Sequence, residues 1–584
     1  AALRAAVASP AATLPAPTPP PAAPRRRSRW RLSLLRWPLT LAVLAIAVWQ
    51  GLELRRWAWD VTEPVRFQWD IQNAFNWGGR AVDQGMLTLP HRLVERVGTG
   101  DGAKYGLDYP PLRLAVVTTW VRWMRQQEPG IAGWRNEYAL TWPMLWFNIA
   151  CQLAATAFAF LLVRRVLARE ALRPLPPGGR VAASSRAGDG ASLGVVGARA
   201  TAGEAKGTLS AALPRRRRGT EPALSAGRTH RGELLLPTLA ALLLWFNPAL
   251  IWNAHCWPQW DAWVLPFFLG ALAAAAHERW WLAGACIGVG VMFKGQLVLV
   301  SPLLLIWPIA AGRPGAALRV VSGFFFGAAA ATLAWAGAPR ATTLPLILGG
   351  VAAALLVEHT LAVRGRRAVT RWSSATLAFA AVVLGLSFLG FGSLAWLYVG
   401  FLGPAENHEA MAIGPAANLA AILKSSYRWD LYDLVAVPGP GPTEMRTVLA
   451  YAFAALLLAS GIAAALQWTR RDRRWLIAAM APWVFMFAVM PQMHERYLVW
   501  AAAASAVWVA CGAGPTVAHL AITAIAWQCM ARPMLGFDAE WAPAWHTFVA
   551  RAFPGVSWVT VAVAGAVLVL LWGRSRSKAG GPPG

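Results

Sequence analysis

The chain has 584 residues, of which 57% are hydrophobic and only 14% charged, against about 25% charged in a soluble globular protein. The mean hydropathy is +0.44. These values exclude a soluble enzyme, a disordered chain and a nucleic-acid module with a basic face, and the long continuous apolar runs exclude an outer-membrane barrel, whose strands alternate. The expected fold class is all-α: a polytopic membrane protein of roughly 14 transmembrane helices.

The net charge of +27 points to topology and anionic lipid, with no nucleic-acid partner. Residues 1–37 hold seven arginines and no acid, and residues 164–231 hold fourteen Lys/Arg against four acids. Both segments flank apolar spans, where basic residues mark the cytoplasmic side and meet anionic lipid.

In chain order, residues 1–37 read as a disordered, basic cytoplasmic N-terminus rich in Ala and Pro. No cleavable signal is evident, and the first apolar run, from Pro38, reads as a retained span. Residues 38–163 hold the first span, a large extracytoplasmic loop and the second span. Within that loop, Pro111–Gln126 is apolar with arginines spaced through it and reads as an interfacial helix. Residues 164–231 read as a disordered Arg-rich cytoplasmic loop. Residues 232–573 read as the main transmembrane bundle, with spans near 233–253, 261–277, 281–293, 296–311, 318–336, 343–362, 374–400, 447–467, 474–490, 497–512, 516–532 and 555–573. Residues 574–584 form a cytoplasmic tail. The runs 281–293 and 296–311 are too short to cross alone and are interrupted by Phe293-Lys294-Gly295-Gln296. An even span count puts both termini on one side, and the basic turns at 277–279, 313–319, 364–371, 470–474 and 574–578 fall on that side too.

The five cysteines (Cys151, Cys256, Cys286, Cys511 and Cys529) lie in or beside apolar runs, lack metal-ligand spacing and read as packing residues. The opposite membrane face carries the candidate chemistry. Seven of the 27 acids lie in residues 55–110. Asp70 and Asp108 each sit among aromatic or apolar residues, surroundings that can raise a carboxylate's pKa and suit it to take a proton. Pro110 and Pro111 fix the backbone after Asp108, so a helix-capping role competes there; for Asp70 the competing role is a solvated loop acid. A second cluster is His255-Cys256-Trp257-Pro258-Gln259-Trp260-Asp261, a third is Lys294-Gly295-Gln296, and a fourth is Met493-His494-Glu495-Arg496-Tyr497. Lys294, His494 and Arg496 stand on the face that positive charge avoids. An anionic phosphate is one reason for them to be there, and an intramembrane pair of Arg496 with Glu495 or Asp261 is the alternative. The chain has no Asp-x-Asp pair, Walker A run, Gly-x-Ser-x-Gly or His-Glu-x-x-His motif.

Together these motifs resemble the GT-C superfamily of polyprenyl-phosphate-sugar-dependent glycosyltransferases, in particular the endoplasmic-reticulum glucosyltransferases that extend dolichol-linked oligosaccharide and their bacterial mannosyltransferase-like relatives. The resemblance rests on Asp70 with Trp77 seven residues on, on Leu107-Asp108-Tyr109-Pro110-Pro111-Leu112, on Trp257-Pro258-Gln259-Trp260-Asp261 where relatives have Trp-Gly-Gln-x-Asp, on Lys294-Gly295-Gln296 and on Met493–Tyr497. It departs at Pro258 and in the Arg-rich loop, and residues after 500 carry no matching motif.

The resemblance implies transfer of a hexose from a polyprenyl phosphate to a lipid-linked glycan, protein or polymer acceptor, with inversion, at the outer face of a bacterial inner membrane. Of the two implied catalytic residues, Asp70 is the general base and Asp108 orients the loop or the acceptor, with the alternative that Asp108 is the base. His494, Arg496 and Lys294 are the implied donor-phosphate ligands. Gln259, Asp261, Trp257, Tyr109, Gln296 and Glu495 are implied to contact sugar or acceptor. No metal or other cofactor is expected. The competing readings are a transporter or flippase for a lipid-linked or anionic substrate, and a non-catalytic membrane scaffold.

Overall fold

A computed structural model describes residues 28–63, 66, 68–86, 88–98, 107, 109–172, 234–335, 373, 376, 395–403, 416–437, 441–536 and 543–573. The expectations for residues 1–27, for most of the 164–231 loop, for the span at 343–362 and most of that at 374–400, for Asp108 and for the tail from residue 574 lie outside the described residues. The described residues are about 81% helical. The only strands among the described residues are the two-residue pair Leu434–Val435 and Thr443–Glu444, antiparallel with Leu434 opposite Glu444.

The chain divides into residues 1–54 and residues 55–584. The described part of the first unit is the N-terminal portion of α1 (Ser28–Val61). That helix takes in residues 28–37, which composition had placed in a disordered tail; its Leu and Arg residues are good helix formers.

After the end of α1 the second unit continues with α2 (Trp69–Gln84), α3 (Thr88–Gly98) and α4 (Pro111–Gln127). The interfacial helix expected at 111–126 is therefore a helix within a residue of those bounds. Pro111 stands at its first position, where a missing N–H costs nothing. Gly78 lets α2 approach α4 closely: a Cβ there would press on the Val121 side chain and the Val117 carbonyl.

Then come α5 (Tyr138–Ala171), α6 (Leu235–Trp245), α7 (Pro248–Ile251), α8 (Leu265–Ala276), α9 (Trp280–Val291), α10 (Leu297–Val300), α11 (Leu303–Ala310) and α12 (Pro314–Trp335). After the strand pair, whose approach is α13 (Leu419–Tyr427), follow α14 (Met445–Thr469), α15 (Trp475–Val489), α16 (Leu498–Ala504), α17 (Ala513–Gly536) and α18 (Pro543–Trp572). Helix α5 has 34 residues, about 51 Å at 1.5 Å per residue, more than the ~30 Å hydrocarbon core.

Among the described residues five helical segments are long and apolar enough to cross a bilayer: Tyr138–Ala171, Leu235–Cys256, Pro314–Ala331, Met445–Thr469 and Gly555–Trp572. Four more, Asp261–Ala276, Trp280–Val291, Leu297–Ala310 and Trp475–Val489, are apolar but shorter. Large apolar side chains face outward from these and neighbouring helices, among them Leu235, Leu239, Leu458, Val517, Leu520, Val559 and Val569. A surface of that kind needs lipid around it, and the chain is a multi-pass membrane protein.

The expected interruption is present, and one span expected to be continuous is interrupted as well. The run at 281–311 breaks between α9 and α10, as its Lys and Gln require. The run at 233–253 also breaks, at Phe246-Asn247-Pro248, because Pro248 removes a helix donor. There the Asn247 side chain caps α7 by accepting from the Leu250 N–H at 3.1 Å, and its own amide donates to the Ala502 carbonyl at 3.1 Å.

Among the described residues the tightest helix pair is α9 with α12. A Cβ on Gly284 or Gly288 would overlap the carbonyl oxygens of Val320 and Phe324, and a Cβ on Gly323 or Gly327 would overlap those of Trp281 and Ala285. Each helix carries glycines four residues apart, and the two backbones interlock without intervening side chains.

The connecting turns sort to opposite ends of the bundle. At one end the basic turns meet: Arg313 pairs with Glu278 at 3.2 Å and Arg473 with Glu170 at 3.9 Å. Beside them Trp307 packs on Trp280, Trp468 and Trp475, with ring centroids 4.7–5.2 Å apart. At the other end of α9 lie Lys294 and the remaining motifs.

Overpacking a close-packed contact costs typically about 1–3 kcal/mol. Gly284→Ala and Gly323→Ala are each expected to lower the thermal midpoint in detergent. Gly565→Ala is the control, because nothing lies within 4 Å of its Cβ position, and it is expected to leave the midpoint unchanged or raised.

Candidate functional site

Four short segments meet at the end of the bundle opposite the basic turns. The first is the start of α2, where Asp70 occupies the first helical turn, a position that favours negative charge. The second is the turn leading to α8. Residues Trp252–Cys256 wind as a π-helical turn closed by the Trp257 N–H on the Trp252 carbonyl at 2.9 Å. Trp257 precedes Pro258, which excludes helical backbone there, and Trp257 has φ −120°, ψ 82°. The chain re-enters helix at Asp261. The third segment is the α9–α10 break with Lys294, and the fourth is the turn before α16 with His494, Glu495 and Arg496.

Asp261 is the hub and is fully buried. Its carboxylate takes a hydrogen bond from the Lys294 ammonium and another from Asn253 Nδ2 at 3.0 Å, and Arg496 Nε stands 3.7 Å away. Its backbone carbonyl accepts from Trp500 Nε1 at 2.8 Å. Arg496 reaches two further acids: Nη1 is 3.5 Å from Asp70 Oδ2 and 3.9 Å from Glu495 Oε1. His494 Nδ1 is 3.7 Å from the other Glu495 oxygen. Lys294 also lies 4.7 Å above the Tyr497 ring and 5.0 Å above Trp500, two rings that stack with centroids 4.9 Å apart. Asp70, Asp261, Lys294 and Arg496 thus form a quartet whose formal charges sum to zero, which is what lets charge stand in so apolar a setting.

The structure therefore joins Asp70, Asp261, Lys294, His494, Glu495 and Arg496 in one network. Gln296 is tied to it through a 3.3 Å hydrogen bond to the Tyr497 hydroxyl. Tyr109 lies close by through Arg113, whose guanidinium is 3.7 Å from the Tyr109 ring centroid and 5.6 Å from that of Trp260. The Leu112 and Arg113 N–H groups donate to the Met292 carbonyl at 3.0 and 3.3 Å, which fastens the start of α4 beside the Lys294 turn. Asp108 lies outside the described residues.

Two expected sugar contacts differ in their surroundings. Trp257 is 1% exposed, and its indole Nε1 donates to Asp70 Oδ2 at 2.7 Å. It presents no open face on which a sugar can stack. Gln259 is also fully buried, and its side-chain amide has no partner among the described residues. Its backbone holds the turn instead, with its N–H on the Asn253 carbonyl and its carbonyl receiving Asn148 Nδ2 at 3.0 Å. Asp70 is not the solvated loop acid of the bland alternative: it is helical, ion-paired and 18% exposed at its side chain. The pairing considered for Arg496 is present, to Asp261 and Glu495 together.

Sequence reasoning passed over Asn148, Asn253, Arg113 and Trp500. Asn148 locks the π-turn segment to α5 by donating to the Ala254 and Gln259 carbonyls and accepting from Trp263 Nε1 at 2.6 Å. Polar residues within apolar spans are the signal that marks Asn148 and Asn253.

Compared with known proteins, the chain matches no family model and no curated sequence.

Removing one partner of a buried pair costs about 3–5 kcal/mol, because the other charge is left uncompensated. Lys294→Met is expected to destabilise strongly. Lys294→Met with Asp261→Asn is expected to lose less than the sum of the two single changes, as read from a double-mutant cycle of detergent unfolding. Outside the spans, the hydrogen bond from Arg125 at 2.5 Å holds the Asp83 carboxyl below its ordinary value. A lowered folded value gives stability that is present above the usual carboxylate range and lost as pH falls through the folded value. Asp83 is largely exposed, so Asp83→Asn is expected to cost well under about 1 kcal/mol and to flatten the acid side of the thermal midpoint against pH.

Proposed function

We propose that the chain is an integral-membrane inverting glycosyltransferase of GT-C type, with about 14 spans and both termini cytoplasmic, in a bacterial inner membrane. It moves a hexose from a polyprenyl-phosphate donor to an acceptor at the extracytoplasmic face. The acceptor is a lipid-linked glycan, a protein or a polymer. The observation that carries the reading is the meeting of Asp70, Asp261, Lys294 and Arg496, four motif residues from distant parts of the sequence, in one buried ion network.

In this reading Asp70 accepts the acceptor's hydroxyl proton as the oxygen attacks the anomeric carbon from the face opposite the phosphate. The new glycosidic bond forms, the bond from the anomeric carbon to phosphate oxygen breaks, and polyprenyl phosphate leaves with the electron pair. Arg496, with Lys294 and His494, stabilises the charge that builds on the departing phosphate. Arg496 is engaged by three acids at 3.5–3.9 Å, so the phosphate enters by partner exchange. Asp70, less buried than Asp261 and Glu495, is the partner most readily released. Asp108 orients the acceptor or the loop, no metal takes part, and lipid surrounds the bundle.

A second reading, a transporter for a lipid-linked or anionic substrate, is favoured by one specific feature: two helices, not one, are interrupted within the bundle, at Asn247 and at Lys294. Interrupted helices are a common transporter device.

The test supplies purified protein with synthetic short-chain polyprenyl-phosphate sugars and follows released polyprenyl phosphate, with and without EDTA. Release from one sugar, unchanged by EDTA and reduced at least about 100-fold by Asp70→Asn, is the expected outcome. Counterflow of the intact donor across liposomes with no glycosidic bond formed is the outcome that replaces this reading by the transporter.

A further inference from the structure

The Asp70 carboxylate is held asymmetrically. Oδ2 accepts from Trp257 Nε1 at 2.7 Å, and the same oxygen is the one that faces Arg496 Nη1 at 3.5 Å. Among the described residues the Trp257 indole is the only hydrogen-bond donor to this carboxylate, and Oδ1 receives none. We propose that Trp257 is a positioning residue: it holds Oδ2 and so presents Oδ1 as the single atom that receives the acceptor proton. The proposal rests on the reading of Asp70 as the base, and it gives Trp257 a role other than contact with sugar or acceptor.

Trp257 is built for a fixed orientation. Its backbone is set by the π-turn on one side and Pro258 on the other. Its ring is buried, with the Arg496 guanidinium 5.9 Å from its centroid. The turn itself is anchored by Asn148 to Ala254 and Gln259. The indole is donor-only, so unlike Ser, Asn or a water it cannot turn round and compete for a proton. When a phosphate draws Arg496 away, the indole bond remains and the carboxylate keeps its orientation.

The test has two arms. In the first, 5-fluorotryptophan is placed at position 257 alone in the full-length protein, and its ¹⁹F resonance is compared in the parent, Asp70→Ala and Asp83→Asn backgrounds. A shift with Asp70→Ala and none with Asp83→Asn is expected. An unmoved resonance in both overturns the contact, and this arm needs no activity. In the second, Trp257→Phe keeps an aromatic ring and deletes the N–H. Turnover of the short-chain donor is expected to fall about tenfold in kcat, the worth of one charge-assisted hydrogen bond, with KM for the donor unchanged. Equal kcat in Trp257→Phe, with activity lost in Asp70→Asn, overturns the role of Trp257 while leaving Asp70 as the base. Full activity in Asp70→Asn overturns the base reading and the positioning role with it.

Discussion

A carboxylate buried to zero exposure among apolar helices has to be answered by positive charge, and Asp261 is answered twice, by Lys294 and by Arg496. An uncompensated ion at this depth costs several kcal/mol, so the three segments that carry these residues are bound to meet. The rest of the site hangs from that requirement. Arg496, drawn to Asp261, also reaches Asp70 and ties α2 to the bundle. Lys294, paired with the same carboxylate, ties the α9–α10 break to the site.

The supporting parts are less conspicuous and depend on neutral groups. Asn148 and Asn253 spend their amides on the turn that carries Trp257 and Asp261. The Met292 carbonyl receives two N–H groups from the start of α4, so α4 is registered against the break by backbone bonds rather than by charge. Both devices satisfy polar groups that apolar surroundings would otherwise penalise.

Much of the helical layout is legible in the sequence, because apolar length and helix breakers are local properties. The break at Phe293–Gln296, the helix from Pro111 and the gathering of basic turns at one end all follow from composition read a few residues at a time. The break at Asn247 is less visible, since one Asn-Pro in a long apolar run reads as a tolerated irregularity until Ala502 and Thr523 are found beside it. Site membership was legible as charge beside apolar runs, which singles out Lys294, Arg496 and the acids. Orientation was not. Trp257 as a donor to Asp70, and Gln259 as a buried turn residue, depend on which way a π-turn directs its side chains, and nothing in the order of residues encodes that.

The glycine seam between α9 and α12 has a mechanical consequence. Backbones in direct contact leave no side-chain layer to shear, so the two helices behave as a single stiff rod over their shared length. Lys294 sits just past the end of that rod. The backbone that carries Lys294 toward Asp261 is therefore set by both helices together.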